Sequence, residues 1–125
     1  MGKKLKVGLA AALAGCCIVA APQASAGIQK YESHIGISEM PPAFHGDVDA
    51  EVPQCVPSRI VRLYREKTGD DKLLGQDQTD GTGEWAITEP GEFTLKSGVY
   101  YAKVTATLVG GDRCQKDRTR KLFVD

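Results

Sequence analysis

After residue 26, the chain alternates hydrophobic and polar positions in short runs. Val61 and Leu63 fall on one face of such a run, and Trp85 and Ile87 fall on one face of another. This period of two is typical of a β-strand that buries one face. No segment after residue 26 has the period of an amphipathic helix. We therefore predict strands within residues 44–48, 59–66, 72–79, 84–88, 93–95, 99–109 and 120–124.

Turn residues at 68–71, 89–91 and 110–112 separate these runs. Seven or so short strands, with a turn about every 8–12 residues, predict an all-β antiparallel sandwich of the immunoglobulin-like type. The run 99–109 is the most strongly β-prone, and its residues Tyr100, Ala102, Val104, Ala106 and Leu108 are predicted to point one way. The run 72–79 is less apolar, which favours an edge position.

A glycine-rich turn at 79–85 stands directly before the strand of Trp85. Asp80-Gly81 alone would make a tight hairpin turn, because glycine adopts a positive φ without a Cβ clash. Gly83 is a second position of this kind, so a longer loop of four residues is equally compatible. A calcium loop is not predicted, because two of the three alternate positions of its template carry glutamines (Gln76 and Gln78) and its late position carries Ile87.

The first 26 residues have the pattern of a signal peptide. Lys3, Lys4 and Lys6 precede an apolar run over 7–21, and the small residues at 24–26 form a cleavage site. The apolar run is shorter than the roughly 20 residues of a membrane-spanning helix. We predict cleavage before Gly27, followed by an extended N-terminal arm over 27–42 and the sandwich domain over 43–125.

A second interpretation of the N-terminus remains open. Residues 13–16, which end in Cys16, resemble a bacterial lipobox, in which this cysteine would carry the lipid and become the first residue. The apolar run continues past Cys16, whereas a lipoprotein usually turns polar there, and this favours plain secretion. The protein is thus predicted to be secreted, with a lipid-anchored form as the alternative.

Removal of the leader changes both the charge and the cysteine content. Basic residues fall from 16 to 13 while the acidic residues stay at 16, which gives a net charge of −3. This balance gives no reason to expect nucleic acid or an anionic membrane as a partner. Only Cys55 and Cys114 remain, and two cysteines in an exported chain predict one disulfide, which here would join two loops at one end of the sandwich.

Candidate catalytic and metal-binding groups are sparse, so we predict no enzyme activity, no metal and no cofactor. His45 with Asp47 and Asp49 could share a strand face, and Ser58 or Ser97 could serve as a nucleophile, but these residues fit a solvated strand and turns equally well. His34 is the other histidine available as a base. Three arginines are expected to form an exposed stripe or to be charges at strand ends (Arg59, Arg62, Arg65), and two tyrosines are expected on the outer face (Tyr64, Tyr101).

Three motifs resemble a known family. The stretch 98–102, with Gly98 and Tyr100, is similar to the tyrosine corner of immunoglobulin-like sandwiches, whose hydroxyl binds upstream backbone. Together with 61–64 and the turn with Gly81, Gly83 and Trp85, it resembles the prealbumin-like branch, which includes carboxypeptidase regulatory-like and transthyretin-like domains. Small exported proteins of actinobacterial type show a similar cysteine placement. The hydrolase of this branch carries a C-terminal signature that this chain lacks.

The resemblance implies a non-catalytic module such as a stalk, an adhesion module or a carrier. We therefore expect a binding or structural role at or beyond the cell envelope, with an extracellular protein or envelope component as the partner. A small secreted protease inhibitor or ligand carrier is the alternative, and a metal-dependent enzyme is a distant one.

Overall fold

A computed structural model describes residues 27–91 and 94–125. The predicted signal peptide, the alternative lipidation site at Cys16 and the predicted strand residue Phe93 lie outside this part of the chain. One turn of 3-10 helix covers Pro53–Cys55. The strands are β1 (Lys30–Tyr31), β2 (Ser33–Ile35), β3 (Ser38–Met40), β4 (Ala43–Ala50), β5 (Ile60–Arg65), β6 (Lys72–Gln78), β7 (Glu84–Thr88), β8 (Gly98–Val104), β9 (Thr107–Val109), β10 (Asp112–Cys114), β11 (Asp117–Arg118) and β12 (Leu122–Val124).

The strands form an all-β sandwich, as the alternation of hydrophobic residues predicts. A front sheet has the order β11-β8-β5-β6. Strands β11 and β12 pair in tandem along the same edge of β8, and all pairs of this sheet are antiparallel. A back sheet is built on β4, with β2 and β3 in tandem on one edge and β7 on the other. A small sheet of order β1-β10-β9 closes one end. Strand β6 lies at an edge, as predicted.

The core lies between the front and back sheets. Strands β5 and β7 alternate buried and less buried positions, which confirms the predicted inward faces of Val61 with Leu63 and of Trp85 with Ile87. The rings of Phe44 and Tyr100 approach to a centroid distance of 4.4 Å and join the two sheets. The remaining buried core residues are Ile35, Ile37, Val48, Leu74, Ala102 and Val104.

The segment 27–42, predicted as an extended arm outside the domain, is instead part of the sheets. Strands β2 and β3 pair with β4, and β1 pairs in parallel with β10. Ile35 and Ile37 are buried in the core. Their alternation therefore reflects burial against the sandwich, and the domain begins near Lys30 rather than at residue 43.

The run 99–109 is not one strand. Strand β8 ends at Val104, and the amide of Thr105 makes a further hydrogen bond to the carbonyl of Ile60 at 3.0 Å. The chain then leaves the front sheet, and β9 forms a hairpin with β10 through Gly110 and Gly111. Leu108, predicted to point the same way as Tyr100, is 57% exposed as a result, whereas Tyr100 is buried. The structure has more and shorter strands than the seven or so predicted. The reasons are that this run is divided into two strands and that further strands lie before residue 43.

Candidate functional site

The turn before Trp85 takes the longer of its two predicted forms. The carbonyl of Asp80 accepts a hydrogen bond from the amide of Gly83, which has a φ of +90°. A Cβ at Gly83 would lie 2.3 Å from the carbonyl oxygen of Val48, while one at Gly81 would meet open space. Gly83 is therefore the glycine that the turn requires, and the turn connects the front sheet to the back sheet rather than closing a hairpin.

The carboxylate of Asp80 is used by the turn itself. Its Oδ1 accepts hydrogen bonds from the amide of Glu84, and from the hydroxyl and the amide of Thr82. These bonds, with that from Glu84 the largest contributor, lower the pKa of Asp80. The acidic residue of this turn therefore acts as a cap for the backbone, which is the role that aspartate takes in many turns.

The tyrosine corner predicted at 98–102 is present. The hydroxyl of Tyr100 donates to the carbonyl of Lys96 at 2.7 Å, and its ring is buried. Gly98 begins β8 beside Arg65, whose Cδ would lie 3.2 Å from a Cβ at this position. Both residues thus have structural roles at the start of the strand.

The predicted disulfide between Cys55 and Cys114 is present. The two Cα atoms are 5.5 Å apart, and both residues are fully buried. Cys55 ends the 3-10 turn, whereas Cys114 lies in β10 rather than in a loop. The bridge closes a loop of 59 residues, for which the chain-entropy model gives about 4 kcal/mol of stabilisation.

The predicted arginine stripe is wrong for two of its three members. Arg59 is 1% exposed, and its guanidinium donates to four acceptors, namely the carbonyls of Cys55, Thr105 and Gln115 and the hydroxyl of Ser33. Burial lowers the pKa of Arg59, although arginine stays protonated in proteins. The charge is therefore held by oxygen dipoles on both sides of the disulfide.

Arg65 is the second buried arginine. It continues the inward face of β5, donates to Oε1 of Glu89 at 2.8 Å and lies over the ring of Tyr100 at 5.9 Å. The contact with Tyr100, followed by the ion pair with Glu89, raises the pKa of Arg65. A strand-end cation can thus be buried when a carboxylate and an aromatic ring face it.

Among the described residues, the candidate catalytic and metal-binding side chains named above do not come together at one site. Within residues 27–91 and 94–125, no hydrogen bond joins a serine hydroxyl to His34 or His45, and no group of three histidine, cysteine or acidic side chains is placed to hold a metal ion. Asp49 instead accepts from the amide of Ala50 at 2.9 Å.

A row of three cations crosses the outer face of the front sheet. Arg62 of β5 lies directly opposite Lys103 of β8, which lies directly opposite Arg118 of β11. We call these three residues the cationic row. Like charges placed directly opposite each other on adjacent strands are destabilising. Among the described residues none of the three forms an ion pair, and Arg62 donates from Nε to the neutral amide of Gln76 at 3.1 Å.

Two stacked tyrosines lie beside the cationic row. Tyr64 and Tyr101 are in register on β5 and β8, with ring centroids 5.3 Å apart. Nζ of Lys103 lies 5.2 Å from the centre of the Tyr64 ring, and Cζ of Arg118 lies 4.2 Å from that of Tyr101. The rings hold the two cations through cation–π contacts. Tyr64, assigned to the outer face from the sequence, is half-buried there, whereas Tyr101 on the same face is covered.

Tyr101 is fixed by Asp71. Its hydroxyl donates to the Asp71 carboxylate, and burial together with this bond raises the pKa of Tyr101 to about 12. The same bond contributes most to the lowered pKa of Asp71, with a smaller contribution from Arg118. The pair therefore sets the position of the ring on which Arg118 lies.

A surface groove of about 580 Å³ runs along the cationic row. Its lining adds Lys116 to the three cations, and Tyr64 forms part of one wall. Asp117 also lines the groove, but its Oδ2 accepts from the amide of Ile35 at 3.0 Å. The groove thus presents four cationic side chains, and its carboxylate is bonded to backbone.

A second groove, of about 680 Å³, lies along the back sheet, with the end of β6 and the turn before β7 forming part of its wall, and is acidic. Its charged lining residues are Asp47, Asp77, Asp80 and Glu84. Asp77 accepts from the amides of Gln78 and Ala86, and Asp80 is used by its turn. Backbone groups therefore already bind two of these carboxylates, and the cationic groove is the stronger candidate for a ligand site.

Neither a scan of family models nor a search of the curated proteins finds a match for this chain. Among the described residues, no helix has the length and apolar character needed to cross a membrane. The geometry of the cationic row is therefore the basis on which a function is proposed. The sequence pointed to Arg62, Tyr64 and Tyr101 as exposed or outer-face residues but not to Lys103 or Arg118. Lys103 alternates with Ala102 and Val104 in the predicted strand 99–109, whereas Arg118 lies outside the strands predicted from the sequence.

Proposed function

We propose that the protein is an exported, non-catalytic binding module that acts at or beyond the cell envelope and binds an anionic ligand on the outer face of its front sheet. The observation that carries this proposal is the cationic row. Three cations in register on adjacent strands repel one another, and an anion bound across them would offset that repulsion. The row therefore has a cost in the free protein that a ligand would remove.

The packing of the sandwich supports a surface site rather than an internal one. Phe44, Trp85 and Tyr100 fill the space between the sheets and are each at most 2% exposed. The all-β architecture, the tyrosine corner and the turn before Trp85 support membership in the prealbumin-like branch of immunoglobulin folds. Members of that branch commonly serve as binding or accessory modules, which agrees with this role.

Binding of pyrophosphate, measured by calorimetry at low ionic strength, tests the proposal. We expect binding by the natively processed protein that weakens as salt is added, because exposed charges are screened. Lys103→Gln should weaken it by roughly three- to tenfold, the equivalent of about 0.7–1.4 kcal/mol. The variant should lose no more than about 0.5 kcal/mol of stability, because Lys103 is exposed.

Lys30→Gln is the matched control, since it removes the same charge from an exposed position in the small sheet. It should leave the affinity unchanged. Equal weakening by the two substitutions would show that pyrophosphate responds only to net charge, and the proposed site would then be wrong.

A further inference from the structure

The cationic row has a defined spacing. Adjacent strands of a sheet lie about 4.8 Å apart, so cations on three neighbouring strands span about 10 Å. Lys103 is the central member, because Arg62 faces it on one side and Arg118 faces it on the other. Each neighbouring pair can hold one anionic group between its members, and both pairs share Lys103.

The surroundings of the row favour a short ligand over a long polyanion. The chain from residue 27 onward carries a net charge of −3, and acidic residues line the groove on the back sheet. A long polyanion would extend past the four cations of the groove and meet this negative surface. A compact anion would contact only the cationic groove.

The wall of the groove adds a second requirement. Tyr64 lines the same groove as the row, and its ring is half-buried against Tyr101. Its remaining surface can contact the uncharged part of a ligand whose anionic groups lie on the row. The site is thus suited to a compact molecule with its charges gathered on one side.

We infer that the ligand carries two or three anionic groups, on the order of 5 Å apart, and that Lys103 binds to more than one of them. This inference rests on the proposed function and names the ligand class, a compact multivalent phosphate or carboxylate. A ligand with a single anionic group would offset the repulsion within one pair of neighbouring cations and leave the repulsion within the other pair in place.

The experiment compares phosphate, pyrophosphate, tripolyphosphate and citrate by calorimetry on the natively processed protein, at one ionic strength. Affinity should rise roughly three- to tenfold with each added phosphate, as one further charge-assisted contact forms. Citrate that binds like tripolyphosphate supports a polycarboxylate, and binding of the phosphates alone supports a phosphate ester. Phosphate that binds as tightly as tripolyphosphate overturns the inference but leaves the proposed function standing.

Substitutions test the central role of Lys103. Lys103→Gln should reduce the advantage of pyrophosphate over phosphate more than Arg62→Gln or Arg118→Gln does, because it breaks both pairs. Equal effects of the three substitutions would contradict that role. A long-chain polyphosphate whose affinity keeps rising with chain length would contradict the compact ligand, and failure of every anion to bind would overturn the proposed function as well.

Discussion

The buried guanidinium of Arg59 shows how a single polar residue can connect separate segments of the sandwich. Arg59 has no carboxylate partner among the described residues, yet its guanidinium satisfies three carbonyls and one hydroxyl around the disulfide. It therefore provides a noncovalent connection next to the covalent one, between the segment of Cys55 and that following Cys114. Buried polar groups of this kind are costly to break, because each lost partner leaves an unsatisfied group in the interior.

Arg59→Gln should destabilise the protein by about 3–5 kcal/mol, because the shorter amide cannot reach the acceptors that the guanidinium binds. Urea unfolding would measure the change. Arg62→Gln is the control from the same strand region and should stay within about 0.5 kcal/mol of the unmodified protein. A loss below about 1 kcal/mol for the Arg59 variant would show that the buried network contributes little to stability.

The bond between Tyr101 and Asp71 predicts a dependence on pH. The pKa of Tyr101 in the folded state is about 12, against an ordinary value of 10.0. Because the pKa of Tyr101 is higher in the folded than in the unfolded state, the protonated hydroxyl stabilises the fold. This stabilisation is complete below pH 10.0 and is lost as the pH rises towards 12. The pKa of Asp71 is lowered, so its contribution is present above the ordinary aspartate range and is lost in acid.

A pH titration of the tyrosine ring carbons by NMR would test this bond. Asp71→Asn should lower the pKa of Tyr101 from about 12 towards its ordinary value, though not fully, because burial is the largest contributor to the shift. Asp70→Asn, at the exposed neighbouring position, should leave it unchanged. An unchanged Tyr101 pKa in the Asp71 variant would contradict the role of the hydrogen bond.

At the scale of elements, the turn before β7 determines how the front sheet connects to the back sheet. Its amide and carbonyl groups bond within the turn and to Val48 on β4, whose amide donates to the carbonyl of Gly83 at 2.8 Å. Trp85 then enters the core directly after the turn. The turn thus couples the two sheets at the point where the largest side chain is buried.

Two glycine substitutions separate the roles within this turn. Gly83→Ala should destabilise the protein by about 2–4 kcal/mol, because it combines a positive φ with a close approach to the carbonyl of Val48. Gly81→Ala should fall between no change and a gain of about 1 kcal/mol, because it meets open space and restricts the unfolded chain. Thermal unfolding of the two variants measures both, and equal losses would rule out this assignment.

Over the molecule as a whole, the two grooves carry opposite charges. The groove on the outer face of the front sheet presents the cationic row, and the groove along the back sheet, the end of β6 and the turn before β7 is acidic, although the net charge from residue 27 onward is only −3. Such a separation orients an approaching anion towards one face, because field lines concentrate in grooves of one sign.

The intact mass of the protein from its native host tests the predicted export. We expect a species that begins at Gly27 and in which Cys55 and Cys114 react with an alkylating reagent only after reduction. A heavier species beginning at lipidated Cys16 would replace secretion by membrane anchoring. Free thiols before reduction would be inconsistent with the disulfide between Cys55 and Cys114.

Features that depend on local pattern are predictable from the amino-acid sequence alone. Alternation of apolar residues gave the all-β class and the inward faces of β5 and β7. The tyrosine corner could also be predicted, because Tyr100 and its partner Lys96 are close along the chain. The disulfide followed from the predicted removal of the first 26 residues, because the two cysteines that would remain leave a single pairing.

Features that depend on strand register and on partners far along the chain become visible only in the folded protein. Arg59 looks like an exposed strand-end charge until the carbonyls of residues 55, 105 and 115 surround it. Lys103 looks like an ordinary solvated lysine until strand pairing places a cation on either side of it. A pattern of period two shows which way a side chain points but not which residue lies opposite, and the proposed site consists of residues that lie opposite one another.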